Sequence, residues 1–509
     1  MQRKHFVSLS IFQLMAMFRR GIFYFFLSIY LKEYLQVTNT EMTLFATLPM
    51  IANIASQTGI WGRISDRYKK RRLLIIFGEL YAAIGYLVVY WIHKGYETSG
   101  ALRAAAFTII IGFTLIEAGW SSSNLGWTTL IADLTKDSER SKIMGLLQFV
   151  GGIGNVLGVT ACGFLYKDGI GFAEGNLFYI SSGIMFFSIL ALFLIPESYA
   201  DLDKSEDPVI AEVVEEPREM RNKANKDSKS MKWEWKLFVW LLVILAVINI
   251  GGNSIGFLVN IHVRLPDTFN ASDMAVAQMR NTANISMIVA GLVIGFLTSR
   301  FGDGKMLFVG FILAFVATML LPFAPNIVFI FIFMSFRGFT RVWVNTTSYS
   351  MVNRVVPLEK RGKMMAYYNA TFYLSWGLGG TILTGPIADA IVSSNIIVIL
   401  SYTVIGIIFV GVWIFMMVEK ISGLRKNRRL FIGSAIGWIA VLGVVTSFIA
   451  PLISSFIINY GVSDSYSYKV TFLIASILIL IGIITFVLYR PKNYNSLILD
   501  RNKIMTSAI

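Results

Sequence analysis

The feature that most constrains this chain is a series of apolar runs, each long enough to cross a lipid bilayer. A hydrocarbon core needs roughly 20 apolar residues per helix. About fourteen runs meet that length, at residues 7–32, 42–62, 73–93, 103–132, 142–166, 177–196, 234–262, 272–298, 305–322, 327–352, 363–391, 395–418, 430–459 and 470–489. Backbone polar groups inside a bilayer must be satisfied within each segment, so runs of this length predict helices and exclude open sheets. The expected fold class is therefore an all-α polytopic membrane protein. Of the 509 residues, 55% are hydrophobic and only 15% charged, against about 25% charged in soluble globular chains, which argues against a soluble enzyme.

The net charge of +15 raises the question of a nucleic-acid partner, and its distribution answers it. Basic residues cluster in alternate short loops: Arg3 and Lys4, Arg63 to Arg72, Lys136 to Lys142, Arg300 to Lys305, Arg354 to Lys363, Arg425 to Arg429, and the tail with Arg490, Lys492, Arg501 and Lys503. The intervening loops hold scattered residues such as Lys94, Lys167 and Lys469. That asymmetry is the positive-inside pattern; it predicts both termini on the cytoplasmic side of a cell membrane and excludes nucleic acid as a partner. The first run follows Met1-Gln2-Arg3-Lys4-His5 without a cleavage-type site, so it reads as a retained helix.

Chemistry that a membrane enzyme or pump would need is not encoded. Cys162 is the only cysteine, which rules out an internal disulfide, and His5, His93 and His262 form no metal or catalytic spacing. Phe301-Gly302-Asp303-Gly304-Lys305-Met306 has a Gly-Lys pair but lacks the glycine spacing and the hydroxyl residue of a nucleotide-binding loop. No cofactor is expected. The one long polar stretch, from Pro196 to about Met231, is acidic first and basic afterwards, and reads as a solvated linker. It divides the chain into residues 1–196 (six helices), a cytoplasmic linker at 197–232, residues 233–418 (six helices), and 419–509 with an extra helix pair and tail.

The two six-helix sets echo one another. Gly62-Arg63-Ile64-Ser65-Asp66-Arg67-Tyr68-Lys69-Lys70-Arg71-Arg72 after the second run has a counterpart in Gly295-Phe296-Leu297-Thr298-Ser299-Arg300-Phe301-Gly302-Asp303-Gly304-Lys305 after the eighth. Ala132 to Arg140, after the fourth, lines up with Asn353 to Arg361, after the tenth. Repeated halves of this kind are a mark of secondary transporters.

On these residues the chain, over about 7–418, resembles the major facilitator superfamily. The resemblance implies two six-helix bundles, here with two additional C-terminal helices, and transport with the halves rocking about a central site. It also implies a gating motif in Gly62, Asp66, Arg67 and Arg71, with Gly295 and Arg300 in the second copy. In that family the glycine permits close helix contact and the Asp and Arg form a cytoplasmic charge lock. The family's second glycine falls on Lys69, and the second copy has Ser299 in place of Asp, so its lock is expected to be weaker or differently built. The glycine-rich fifth run (Gly151, Gly152, Gly154, Gly158, Gly163) is similar to the packing helix of drug/proton antiporters but lacks their Gly-Pro. The final helix pair is expected at the periphery or at an oligomer contact.

Ionisable residues at mid-bilayer cost about 2.5–3.5 kcal/mol each on insertion scales, so each needs a reason. Arg19 and Arg20 lie in the first run, Glu79 in the third, Glu117 in the fourth, Arg280 in the eighth, and Arg337 and Arg341 in the tenth. Helical spacing puts Gln13, Arg20 and Tyr24 on one face; Glu117, Trp120 or Ser121, and Asn124 on another; then Asn249, Asn253 and Asn260; and Arg337, Arg341, Asn345 and Ser348. These are runs one, four, seven and ten, which the resemblance implies line the cavity. The expected substrate-binding set is Arg20, Tyr24, Glu117, Asn124, Asn253, Arg337, Arg341 and Asn345. For each residue a structural reading stands beside it: Arg19 or Arg20 pairing with Glu117 or Glu79, Arg280 in a polar patch near the outer end, Asn and Ser as interhelical bonds.

The positive excess of Arg20, Arg337 and Arg341 over Glu117 favours an anionic or zwitterionic small solute, because the guanidinium fork suits carboxylate and phosphate. Glu117 is the expected proton-coupling residue, with Glu79 as the alternative, so protons and membrane lipids are the other partners. Two other readings stay open: an exporter of amphipathic drugs or lipids, suggested by Phe23, Tyr24, Phe25, Phe26 and Tyr30, and a receptor or scaffold on the same fold. Oligomeric state is not encoded.

Overall fold

The computed structural model describes residues 3–68, 70–135, 137–195, 235–356, 379–392 and 463–488, with a few single residues between 364 and 375. The expected linker and the runs at 395–418 and 430–459 lie outside the described residues. Among the described residues every regular element is helical, and nine helices are long and apolar enough to cross a membrane, ten if one bent pair counts as a span. The chain is an all-α polytopic membrane protein.

The first bundle comprises α1 (Arg3–Ile29), α2 (Asn39–Ser56), α3 (Gly62–Tyr68), α4 (Arg71–Thr98), α5 (Leu102–Leu134), α6 (Asp137–Leu165), α7 (Ile170–Ala173) and α8 (Asn176–Leu192). The second comprises α9 (Trp235–Ser254), α10 (Gly256–His262), α11 (Asp273–Phe301), α12 (Asp303–Met319), α13 (Ile327–Val355), α14 (Gly385–Val392) and α15 (Asp464–Leu488). Within the first, α1 packs on α6 and α8, and α5 on α2 and α4. Within the second, α13 packs on α11 and α12. The halves meet through α6 against α11 and α2 against α14.

Several spans are bent where the sequence breaks the hydrogen-bond ladder. Turns of π-helix at Tyr30–Tyr34 and Gln57–Trp61 extend α1 and α2. The seventh span breaks at Ile255, between α9 and α10, beside the pair Gly251 and Gly252. α7 and α8 meet at 56° across Gly175, which has φ +84° and faces the Tyr90 ring.

Aromatic packing supplies much of the first core: the Phe23 ring lies 4.7–5.2 Å from Tyr86, Phe113, Phe172 and Phe178. Backbone-to-backbone contact of α1 with α6 supplies the rest of its rigidity. A Cβ on Gly154 would stand 2.3 Å from the Leu14 carbonyl oxygen, and one on Gly158 2.1 Å from that of Phe18. A backbone carbonyl cannot swing aside as a side chain can. Gly158→Leu is therefore expected to push α6 off α1 and destabilise the fold by about 3 kcal/mol or more, the upper part of the overpacking range. Gly183→Leu, where a Cβ meets open space, serves as the control. Thermal unfolding of the detergent-solubilised protein checks the pair; equal midpoints would show that the α1–α6 contact yields.

The last helix departs from expectation. α15 is not peripheral: it packs along α9 and α12 and touches α14. Tyr468, Phe472, Ala475 and Ile479 are fully buried there, and the Phe486 ring stacks on Trp240 at 5.2 Å and on Phe308 at 6.1 Å. An apolar stripe with this much burial is part of the second bundle's core.

Candidate transport site

Adjacent residues on a helix differ by 100° in direction, and α1 uses that step to send two arginines to different places. Arg19 turns into the first bundle, where it is 4% exposed. Its Nη1 donates to Tyr86 Oη at 2.9 Å, and the guanidinium lies over Trp120 (5.3 Å) and Tyr86 (5.9 Å). The Trp120 indole N–H in turn donates to Glu79 Oε1 at 2.7 Å, as does Ser123 Oγ at 2.7 Å. Glu79, 1% exposed, thus joins α4 to α5 inside the bundle and stands away from the space between the halves.

Arg20 is exposed and faces that space. Near it lies Glu117, whose Oε1 accepts from Tyr24 Oη at 3.0 Å and whose Oε2 accepts from Asn53 Nδ2 at 2.9 Å. Arg20 and Arg19 both act electrostatically on this carboxylate, while its two oxygens are held by neutral donors. The Tyr24 ring is stacked on Phe45 at 6.0 Å, which fixes the hydroxyl's direction. Asn53 was not among the expected residues, because α2 carries no periodic polar stripe that would single it out.

From the second half, α13 presents two arginines one turn apart. Arg337 Nη2 donates to the Gly252 carbonyl at 2.7 Å, and Arg341 Nη2 donates to Asn253 Oδ1 at 2.7 Å. Both bonds grip the end of α9 next to its break. Among the described residues the buried Arg337 Nη1 has no hydrogen-bond partner. Arg280 of α11 joins them: its guanidinium lies 5.7 Å above the Phe25 ring of α1, and it feels the charges of both Arg341 and Arg20. Arg280 lies in the outer part of α11, near its start at Asp273, as the polar-patch reading has it, and its guanidinium also reaches across to α1.

The remaining expected residues are less engaged. Asn124 is half-buried on α5, with its carbonyl accepting from Thr128 Oγ1 at 3.2 Å. Asn345 is half-buried on α13, and its carbonyl accepts from Tyr368 Oη at 3.1 Å. Asn249 and Asn260 are buried within the second half, and Gln13 is buried close to Gly151.

At the end carrying the basic loops, Gly62 opens α3 and Arg71 opens α4. Arg71 Nε pairs with Asp133 Oδ2 at 3.3 Å, and its Nη1 donates to the Ser65 carbonyl at 2.6 Å. Arg67 is exposed over the Tyr68 ring, and Arg300 is exposed over Phe301. The side chains of Asp66 and Ser299 lie outside the described residues. Among the described residues nothing stands within 4 Å of a Cβ placed on Gly295. In the second copy the buried Asp303, opening α12, accepts from Ser350 Oγ of α13 at 2.6 Å.

The opposite end is closed by polar contacts between the halves. Asp389 of α14 caps α2: Oδ1 accepts from the backbone N–H and side-chain amide of Asn39, and Oδ2 from the backbone N–H and hydroxyl of Thr40, at 2.7–2.8 Å. Helix N-termini favour such an acceptor. Thr47 and Thr381 share a hydroxyl contact at 2.6 Å, and Tyr468 Oη donates to Asn39 Oδ1 at 2.9 Å. Arg264, in the loop after α10, binds Glu33 (2.8 Å) and Asp168 (2.8 Å) of the first half and Asp273 of its own. Burial works against the Arg264 charge, but Glu33 and Asp273 more than offset it, so its affinity for the proton is raised.

Two bundles that touch at one end, with ionisable side chains from both facing the space between them, are the architecture of a rocking carrier. The sequence profile of the Major Facilitator Superfamily matches residues 9–380 and 265–431. The chain belongs to this superfamily. A Lactococcus lactis subsp. lactis (strain IL1403) protein named multi-drug resistance efflux pump PmrA homolog is 20% identical over 377 residues, 73% of this chain and 84% of that one. The fold is similar to that of the nucleoside transporter NupG (TM-score 0.59, 12% identity, 96% of this chain and 100% of that one). It is also similar to that of a D-xylose–proton symporter (TM-score 0.57, 14% identity, 74% and 88%). As a superfamily member the protein is a multi-pass membrane transporter and not of an enzyme family; these names describe its relatives.

Proposed function

We propose that the protein is a secondary active transporter that moves a small organic anion or zwitterion by alternating access and couples it to protons. The observation that carries this reading is the pair Arg337, on the Gly252 carbonyl, and Arg341, on Asn253, on one half and Glu117 with Tyr24 and Asn53 on the other. The two guanidiniums offer charge-assisted hydrogen bonds to carboxylate or phosphate. Among the described residues the hydrogen-bond donors to Glu117 are neutral, so a proton can come and go there without breaking a direct ion pair; Glu79, bonded to Trp120 and Ser123, is assigned to packing. Asn124 and Asn345 complete the lining. The loop of Gly62, Asp66, Arg67 and Arg71, with Gly295 and Arg300, is assigned to gating at the basic end, which we place in the cytoplasm with both termini. The conformation described is then the one closed to the outside.

The test is transport in sealed proteoliposomes loaded with a pH-sensitive dye and challenged with organic acids, sugar phosphates, amino acids, neutral sugars and lipophilic cations. Arg337→Ala combined with Arg341→Ala is expected to lower anion-driven flux by about 100-fold or more, since hydrogen bonds to charged groups contribute about 1.5–3 kcal/mol each. Unchanged flux of the same anion in a folded double mutant would remove these arginines from the site. A second reading, export of amphipathic drugs in exchange for protons, draws on the efflux-pump relative and on the aromatic setting of Glu117 by Tyr24 and Phe45. Flux triggered only by lipophilic cations, and tolerant of the double mutant, would decide for it.

A further inference from the structure

We propose that the occupant of this cavity carries at least two negative charges, held at once by Arg20 of the first half and by Arg280 and Arg341 of the second. The inference rests on the anion reading above and narrows it, removing monoanions and zwitterions.

The argument is a balance of charge and hydrogen bonds. Arg20 of the first half acts electrostatically on Arg280 and Arg341 of the second, and within the second half Arg337 feels both Arg341 and Arg280; the Arg280 contact with Phe25 of α1 bridges the halves directly. Glu117 is the acidic residue that senses Arg20, and both its oxygens are already bonded to Tyr24 and Asn53. Among the described residues neither Arg20 nor Arg280 has a carboxylate or carbonyl acceptor; Arg280 rests on the Phe25 ring alone. Arg337 keeps a buried Nη1 without a partner. Surplus guanidiniums inside a membrane bundle are costly, and burial of an unpaired charge raises that cost.

A monocarboxylate engages one fork and leaves guanidiniums on opposite halves repelling each other. A zwitterion brings an ammonium into the same field. Two anionic groups on one molecule, as in a dicarboxylate, a tricarboxylate, a phosphate ester or a pyrophosphate, engage both halves together and remove the repulsion between them. The contact of the Arg280 guanidinium with the Phe25 ring, at 5.7 Å, uses a π face and no hydrogen-bond acceptor, so its N–H donors remain for bidentate contact.

The experiment uses the purified full-length protein in detergent at fixed ionic strength, with inorganic pyrophosphate, citrate, acetate and glycine betaine as probes and thermal stabilisation as the titration signal. Pyrophosphate or citrate is expected to bind at least about tenfold more tightly than acetate, because each added charge-assisted contact is made in a water-poor site. Arg280→Gln is expected to collapse that ratio toward one, chiefly by weakening pyrophosphate and citrate, and Arg280→Lys to recover part of it. Independently of any variant, reaction of Arg20 and Arg280 with phenylglyoxal, read by peptide mass, should be suppressed by pyrophosphate and not by acetate. Equal affinity for acetate and citrate, or phenylglyoxal labelling indifferent to pyrophosphate, overturns the proposal. Acetate binding that depends on Arg337 and Arg341 in that case leaves the anion reading standing, whereas binding of lipophilic cations alone overturns both.

Discussion

Glu117→Gln is expected to abolish substrate-driven proton movement, lowering it by at least about tenfold, the effect of about 1.4 kcal/mol. The carboxylate accepts from Tyr24 on one oxygen and Asn53 on the other. A glutamine has one acceptor oxygen for these two donors, and it carries no exchangeable acid proton. The cavity's shape is preserved, so exchange of labelled solute across the membrane, with solute on both sides, is expected to continue. Dye-loaded proteoliposomes report the proton, and a radiolabel reports the solute. Proton flux at the wild-type rate in this variant would move the coupling to another group.

Asp389→Ala is the second large effect, and it acts on conformation. Loss of this carboxylate strands the N–H groups of Asn39 and Thr40 at the start of α2 and removes two side-chain bonds as well. With charged hydrogen bonds at about 1.5–3 kcal/mol, a net shift of about 2 kcal/mol against the closed end is expected, roughly a 30-fold change in the open-to-closed ratio. Spin labels at Ser99 and Phe323, exposed at that end on opposite halves, should report a population of longer distances absent from the parent. An unchanged distance distribution would show that the Arg264 cluster and the Thr47–Thr381 contact suffice to hold the halves together.

Much of the architecture was legible because hydrophobic length and loop charge are local properties of the sequence. The polar stripe of the first span was legible for the same reason: period 3.6 put Arg20 and Tyr24 on one face, and both approach Glu117. What period cannot give is the neighbour contributed by another helix. Asn53 became visible only once α2 met α5, and the contact of Arg280, already singled out as a mid-span charge, with Phe25 only once α11 met α1. Asp389 and Arg264 lie near helix ends, where a charged residue in the sequence looks merely solvated; each has partners in the first half hundreds of positions away. The place of α15 was hidden because an apolar stripe facing a bundle and one facing lipid have the same composition.

The adjacency of Arg19 and Arg20 restricts how α1 can move. Spinning the helix about its own axis would drag Arg19 out from between Tyr86 and Trp120, break its bond to Tyr86 Oη and turn Arg20 into the first bundle in its place. Two cations one residue apart thus act as a keyway: α1 is free to tilt with the rest of its half but not to roll within it. Any change in the distance from Arg20 to Arg280 and Arg341 must then be a displacement of the whole first bundle, with the helix locked to its neighbours as it travels.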